Sequence, residues 1–311
     1  MMRIIFMGTP EFAVRPLDAL VSDGYDILSV CTQPDEPVGR GRVLSESPVK
    51  KAALQNKIPV FQPVSLKPSD VREQLAGMKP DAIIVAAFGQ ILPQSVLEIP
   101  PFGCINIHPS LLPRFRGVSP IPAAILSGDQ FTGTSIMLMD KGVDTGPILA
   151  RAQLPVSSDD TTGSLTEKLS RISAQLLLDV LPRWFRKEIK LQLQSDVGAT
   201  YTKMLTKEAG EIDWHLPALE LWRRVRAYQP WPGCYTRWQG KQLKLLETKP
   251  MDSEGAVHPG EVLTVKEGSV AFGIGTGSGI LGIIRVQLEG KKAMTAAEFI
   301  RGQRQLIGAI L

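Results

Sequence analysis

The run Cys104-Ile105-Asn106-Ile107-His108 carries two side chains that could act on the same molecule. It reads as a strand, where residues two apart face the same side, so Asn106 and His108 project together. Pro109 holds His108 extended and ends the strand. An amide and an imidazole offer N–H donors, and the imidazole also exchanges protons. The same pair could serve as a hydrogen-bonded part of a core. Beyond it, Ser110-Leu111-Leu112-Pro113-Arg114-Phe115-Arg116-Gly117 is rich in turn residues, and its exposed backbone could meet a flat heterocycle. Asp140-Lys141-Gly142-Val143-Asp144-Thr145-Gly146-Pro147 then sets two acids in a glycine-rich loop. Acids in such loops also occur as plain turn residues.

The elements around these residues alternate. Strands are expected at Arg3–Met7, Ile27–Cys31, Asp81–Ala87 and Cys104–His108, with helices at Pro10–Ser22, Pro48–Asn56, Pro68–Gly77 and Ser119–Ser127. Continuously apolar strands alternating with helices predict an α/β fold: a Rossmann-like, mostly parallel sheet with helices on both faces. In such sheets ligands bind beyond the carboxyl ends of the strands, where Asn106 and His108 stand. Strands at Gly133–Met139 and Ile148–Leu154 and a helix at Leu165–Arg186 complete a first domain, 1–187. Residues 188–207 are polar and aperiodic and read as a linker. From 208 to 311, a helix at Pro217–Tyr228 precedes short β-type runs at Leu243–Glu247, Glu261–Val265, Val270–Ile274 and Ile280–Leu288. Their spacing predicts a small OB-like β-barrel.

Composition excludes several classes. A chain of 311 residues suits two domains at roughly 150 residues each, and 43% hydrophobic with 21% charged residues is ordinary for a globular protein. The net charge of +4 permits a polyanionic partner without requiring one. Cys31, Cys104 and Cys234 are odd in number and widely spaced, which indicates neither a disulfide framework nor a zinc site. No metal is expected. The apolar opening breaks at Gly8-Thr9-Pro10-Glu11, too early for a signal or a membrane span, so a cytoplasmic location is expected. Gly277-Ser278-Gly279-Ile280-Leu281-Gly282 spells a dinucleotide fingerprint, but β-like residues follow where a helix is required, and it reads as a hairpin.

Asn106-Ile107-His108-Pro109-Ser110-Leu111-Leu112-Pro113, with Asp144-Thr145-Gly146 downstream, resembles the signature of the folate-dependent formyltransferases. The resemblance implies 10-formyltetrahydrofolate as formyl donor and Asn106, His108 and Asp144 as the catalytic set. It also implies that Ser110, Leu111, Leu112 and Pro113 contact the folate. These motifs alone leave the acceptor open, since purine-pathway formyltransferases share them. The loop Thr32-Gln33-Pro34-Asp35-Glu36-Pro37-Val38-Gly39-Arg40-Gly41-Arg42 is similar to an insertion of the methionyl-tRNA branch. Ser47-Pro48-Val49-Lys50, Ile212-Asp213-Trp214, Arg226-Ala227-Tyr228-Gln229-Pro230-Trp231-Pro232 and Gly290-Lys291-Lys292-Ala293-Met294 extend the likeness over nearly the whole chain. That branch implies initiator methionyl-tRNA as acceptor, a role in translation initiation, and a C-terminal domain that binds tRNA. Arg40, Arg42 and Lys207 are the candidate tRNA contacts, and a monomer is expected. A small-amine acceptor, or an RNA-binding module on an inactive scaffold, are the alternatives.

Arginine in a long glycine-rich loop can pair bidentately with phosphate. Replacing Arg40 and Arg42 should therefore weaken tRNA binding and flatten its dependence on salt, measured as the slope of log affinity against log salt concentration. Binding that keeps its wild-type slope would favour a small acceptor.

Overall fold

The computed structural model describes residues 2–38, 43–253, 255–265 and 267–311. The chain divides into two compact units, and it does so at more than one point. The first takes the chain through Pro120, then Phe131–Pro155 and Thr166–Thr202. The second takes Ile121–Gln130, Val156–Leu165 and Lys203–Leu311.

The first unit is built from β1 (Arg3–Gly8), α1 (Val14–Ser22), β2 (Asp26–Cys31), the short hairpin β3 (Glu36–Val38) and β4 (Val43–Ser45), α2 (Pro48–Gln55) and β5 (Val60–Phe61). Then come α3 (Ser69–Gly77), β6 (Ala82–Ala86), α4 (Gln94–Leu97), β7 (Cys104–His108), β8 (Arg116–Gly117), α5 (Pro120–Ser127), β9 (Phe131–Leu138), β10 (Ile148–Pro155), α6 (Thr162–Phe185) and β11 (Tyr201–Thr202). All of α5 but Pro120, and the first turn of α6, belong to the second unit. Seven strands form one sheet in the order β10-β9-β7-β6-β1-β2-β5. The pairs from β7 to β5 are parallel, and β9 and β10 add antiparallel.

Alternation along the strands explains why helices cover both faces. Ile5, Met7, Ile83 and Val85 point one way into a cluster with Leu75, Leu92 and Val96. Ile4, Phe6 and Ile84 point the other way and are equally buried. On β9, Gly133 lies so close to the Ala152 carbonyl and the Leu111 side chain that a Cβ would collide with both. The strand order reverses between β1 and β6, the kind of position beside which open α/β sheets bind ligands. β7 is the next strand along.

The second unit holds α7 (Ala218–Ala227) and a curled antiparallel sheet, a half-barrel in form. Its strands are β12 (Cys234–Trp238), β13 (Lys241–Met251), β14 (Val262–Leu263), β15 (Phe272–Gly275), β16 (Ile280–Leu288) and β17 (Met294–Thr295), followed by α8 (Ala296–Gly302). They pair in the order β12-β13-β16-β15-β14, with β17 on β16. The glycine-rich run is the β15–β16 hairpin, with Gly273 opposite Gly282 and no helix after it. Stretch 156–165 joins this unit through polar bonds. Arg226 donates to the Ser157 and Asp160 carbonyls, Thr162 Oγ1 to the Ala227 carbonyl at 2.6 Å, and Gly163 N to the Gln229 carbonyl at 3.1 Å.

All three cysteines are buried and free. Burial pushes each thiol up to about 12 from an ordinary 9.0. A thiol ionises more readily in the unfolded chain, so the stability this provides is whole below pH 9.0 and declines as pH climbs toward about 12. At about pH 8, where an exposed thiol is partly thiolate, a thiol reagent should label the native protein negligibly and the denatured chain at all three positions. Rapid native labelling would contradict this burial.

Candidate active site

β7 lies between β6 and β9 and carries its polar residues toward its carboxyl end. Asn106 and His108 are 8% and 4% exposed and share one face of the strand. His108 Nε2 lies 2.9 Å from the Phe115 carbonyl. A carbonyl only accepts, so this contact puts the proton on Nε2 and leaves Nδ1 as the nitrogen turned toward Asp144. Asp144 Oδ2 is 3.5 Å from Nδ1, a close ionic approach but long for a hydrogen bond. Asn106 Nδ2 donates to Asp144 Oδ1 at 3.3 Å, and the Gly117 amide donates to Oδ2 at 2.7 Å. Asn106, His108 and Gly117 thus meet around the carboxylate of a residue 27 to 38 positions further along the chain.

Asp144 reaches this place with φ +53°, a left-handed conformation that Asp tolerates better than most residues. Its loop runs tight against β9: a Cβ on Gly146 would strike the Leu138 carbonyl. Ser110–Pro113 follows directly from β7 and is built into the sheet. Ser110 Oγ donates to the Arg114 carbonyl at 2.6 Å, and Ser135 Oγ donates to the Ser110 carbonyl at 2.7 Å. Ser135 Oγ in turn accepts from the Leu112 amide at 3.1 Å. Leu112 packs against Met137 and Ile148, while Leu111 and Pro113 remain half-buried.

The formyl transferase family model matches residues 2–181, and the formyl transferase C-terminal domain model matches residues 204–304. The chain belongs to the formyl transferase family. A relative from Dehalococcoides mccartyi (strain 195), named methionyl-tRNA formyltransferase, is 49% identical over 310 residues, covering 100% of this chain and 98% of its own. One of the same name from Chloroflexus aggregans is 47% identical, covering 97% of both chains. Among solved structures, HypX from Aquifex aeolicus with tetrahydrofolic acid superposes with TM-score 0.64 at 20% identity. That match covers 96% of this chain and 47% of HypX, so the chain spans about half of that larger protein. The N-formyltransferase of Helicobacter canadensis, with folinic acid and dTDP-3-aminofucose, gives TM-score 0.67 at 17% identity, covering 94% of this chain and 100% of its own. At these identities the two structures attest the fold alone.

In this formyl transferase, the run expected as a linker is partly site scaffold. Gln192 bridges to Ile148 at the start of β10. Gln194 Nε2 donates to the Asp144 and Gly146 carbonyls at 2.9 and 2.8 Å. Its Oε1 accepts from Arg116 Nε and Nη2 at 3.3 and 3.1 Å. Arg116 is 1% exposed, and its Nη1 also reaches Asp196 Oδ1 and the Tyr201 hydroxyl, both at 3.0 Å. Thr200 meets the Phe115 amide with its hydroxyl and the Arg116 amide with its carbonyl. The sequence reading missed Arg116 and Gln194. Gln194 showed only as part of a polar run with no period, which a linker shares, and Arg116 only as one residue of the turn-rich stretch after His108.

Arg40 and Arg42 lie outside the described residues. What is described is the base of their loop, the β3–β4 hairpin. Lys50 pairs with Asp35 at 2.5 Å, and Gln62 donates to Asp35 Oδ1 at 2.8 Å and to the Gln33 carbonyl at 2.9 Å. The hydrogen bond from Lys50, then that from Gln62, hold the Asp35 carboxyl below its usual range. Lys207 is exposed in the second unit, just before a single 3-10 turn.

Proposed function

We propose that this chain transfers the formyl group of 10-formyltetrahydrofolate to the free amino group of initiator methionyl-tRNA, the step that prepares that tRNA for translation initiation. The observation that carries this reading is the extent of the likeness. Identity of 44–49% to proteins named methionyl-tRNA formyltransferase runs through both units, with 97% or more of this chain covered. The convergence of Asn106, His108 and Asp144 supplies the chemistry.

The neutral amine attacks the formyl carbon, and the C=O becomes a tetrahedral carbon bearing an oxyanion. Donors placed where that charge develops are commonly the largest catalytic contribution. Asn106 Nδ2 and His108 Nδ1 are the two nitrogens gathered beside Asp144; in this reading Nδ2 donates to the oxyanion as it forms, and Nδ1 does so only once the ring carries a second proton, as an imidazolium beside Asp144. The Phe115 carbonyl keeps the ring from turning Nδ1 away. Asp144 orients both groups and takes the proton released by the attacking amine. That proton reaches the folate nitrogen as the carbon–nitrogen bond to the donor breaks, directly or through water. A free α-amino group has a pKa of ~8 and an esterified amino acid is less basic still, so a usable fraction is neutral and no strong base is required. Ser110, Leu111, Leu112 and Pro113 border the folate. Arg40, Arg42 and Lys207 contact the tRNA as phosphate partners. No helix among the described residues is long and apolar enough to cross a membrane. Both proposed substrates are water-soluble, and the reading places the enzyme in the cytoplasm as a monomer.

The deciding assay offers 10-formyltetrahydrofolate with either methionyl-initiator-tRNA or glycinamide ribonucleotide. Formylation of the tRNA alone is expected, and turnover of the small amine alone overturns the reading. Asn106→Ala and His108→Ala should each lower kcat by about 10²–10³-fold with KM little changed. Near-normal turnover in both variants removes them from the catalytic set.

A further inference from the structure

We infer that Gln194, locked by the buried Arg116, is a positioning residue that holds Asp144 and the His108 ring in register for the transfer. The inference rests on the functional reading above and extends it to residues that never touch the substrate.

Four observations converge. Asp144 sits at φ +53°, a left-handed conformation that Asp tolerates but that glycine adopts more readily, so contacts that hold its loop matter. Gln194 provides one by donating its amide N–H groups to the carbonyls of Asp144 and Gly146. The amide has a single workable orientation. Turned over, it would set its oxygen against two carbonyl oxygens and its N–H groups against the guanidinium of Arg116. Arg116 in turn is held by the Tyr201 hydroxyl, with the exposed Asp196 carboxylate on the same Nη1.

The fourth observation concerns where Arg116 lies in the chain. The residue before it, Phe115, gives the carbonyl that meets His108 Nε2. The residue after it, Gly117, gives the amide that meets Asp144 Oδ2. A rotation of the backbone at Arg116 therefore moves a partner of the imidazole and a partner of the carboxylate at once. Gln194 ties that same side chain to the backbone on either side of Thr145. The pair closes a loop of contacts through both acid–base groups, all within the first unit. A misplacement of reacting groups by about 1 Å costs on the order of 10²-fold in rate, which is what such a brace prevents.

Gln194→Glu separates positioning from mere support. It keeps the size and the contact to Arg116, which becomes an ion pair, but faces two carbonyl oxygens with a carboxylate. The expected result is a thermal midpoint near wild type, kcat lowered by about 10²-fold and KM for both substrates unchanged. The His108 ring resonances should also shift, while those of the exposed His215 and His258 stay in place. Gln194→Met, neutral and of equal length, should repeat the loss and serves if the glutamate variant does not fold. Wild-type kcat and unmoved His108 resonances in either folded variant overturn the inference. So does a loss of activity that merely follows the folded fraction. If the wild-type protein formylates neither acceptor, the functional reading falls, and the His108 resonances still test the brace.

Discussion

A carboxylate withdrawn from bulk water must be given donors, and the arrangement of the first unit follows from how Asp144 obtains them. One comes from the backbone at Gly117 and one from the side chain of Asn106. The third neighbour, His108, approaches more loosely. They arrive on two elements: Gly117 on β8, and Asn106 and His108 two residues apart on β7. β7 and β9 are antiparallel neighbours, so the loop leaving β9 starts beside Cys104 at the beginning of β7 and folds back to bring Asp144 to Asn106 and His108. Close approach demands Gly146 there, and a residue tolerant of the left-handed region at 144.

Around this carboxylate a cation is buried as well, and the two are not paired with each other. A guanidinium removed from water is costly unless its N–H groups are met. Arg116 is met largely by neutral partners, two contacts from Gln194 and one from Tyr201. Its ionic partner, Asp196, is 93% exposed in its side chain, so that bond is well hydrated and contributes little alone. Neutral acceptors keep the charge of Arg116 from competing for Asp144. The hairpin base at the other edge is solved differently, with Lys50 and Asp35 paired directly and half-buried.

The α/β unit was legible because its strands are apolar on both faces and its helices amphipathic, and β7 was located to the residue. Asn106 and His108 followed from period two, and Asp144 from its loop and the family likeness. What escaped had no period to display. Arg116 and Gln194 satisfy one another and the backbone, so neither contributes to an apolar stripe. β12 was missed because Cys234-Tyr235-Thr236-Arg237-Trp238 follows a proline-rich turn and is short. α8 was missed although Thr295 and Glu298 form a capping box, a signal placed too near a strand to stand out. The second unit's claim on stretches 121–130 and 156–165 was invisible for a different reason. It depends on bonds such as Arg226 to two distant carbonyls, which leave no trace in local pattern.

That interleaving has a consequence for how the molecule is made. A ribosome delivers the chain from its amino end, and domains fold as units while synthesis proceeds. The first unit is fully delivered once Thr202 has emerged, and it can then close its sheet. By that time two pieces of the second unit, Ile121–Gln130 and Val156–Leu165, have been outside the ribosome without their partners. They wait for α7 and the curled sheet, still to be translated. The nascent enzyme thus passes through a stage in which one half is complete and carries parts of the other, and its last third finishes structure begun much earlier.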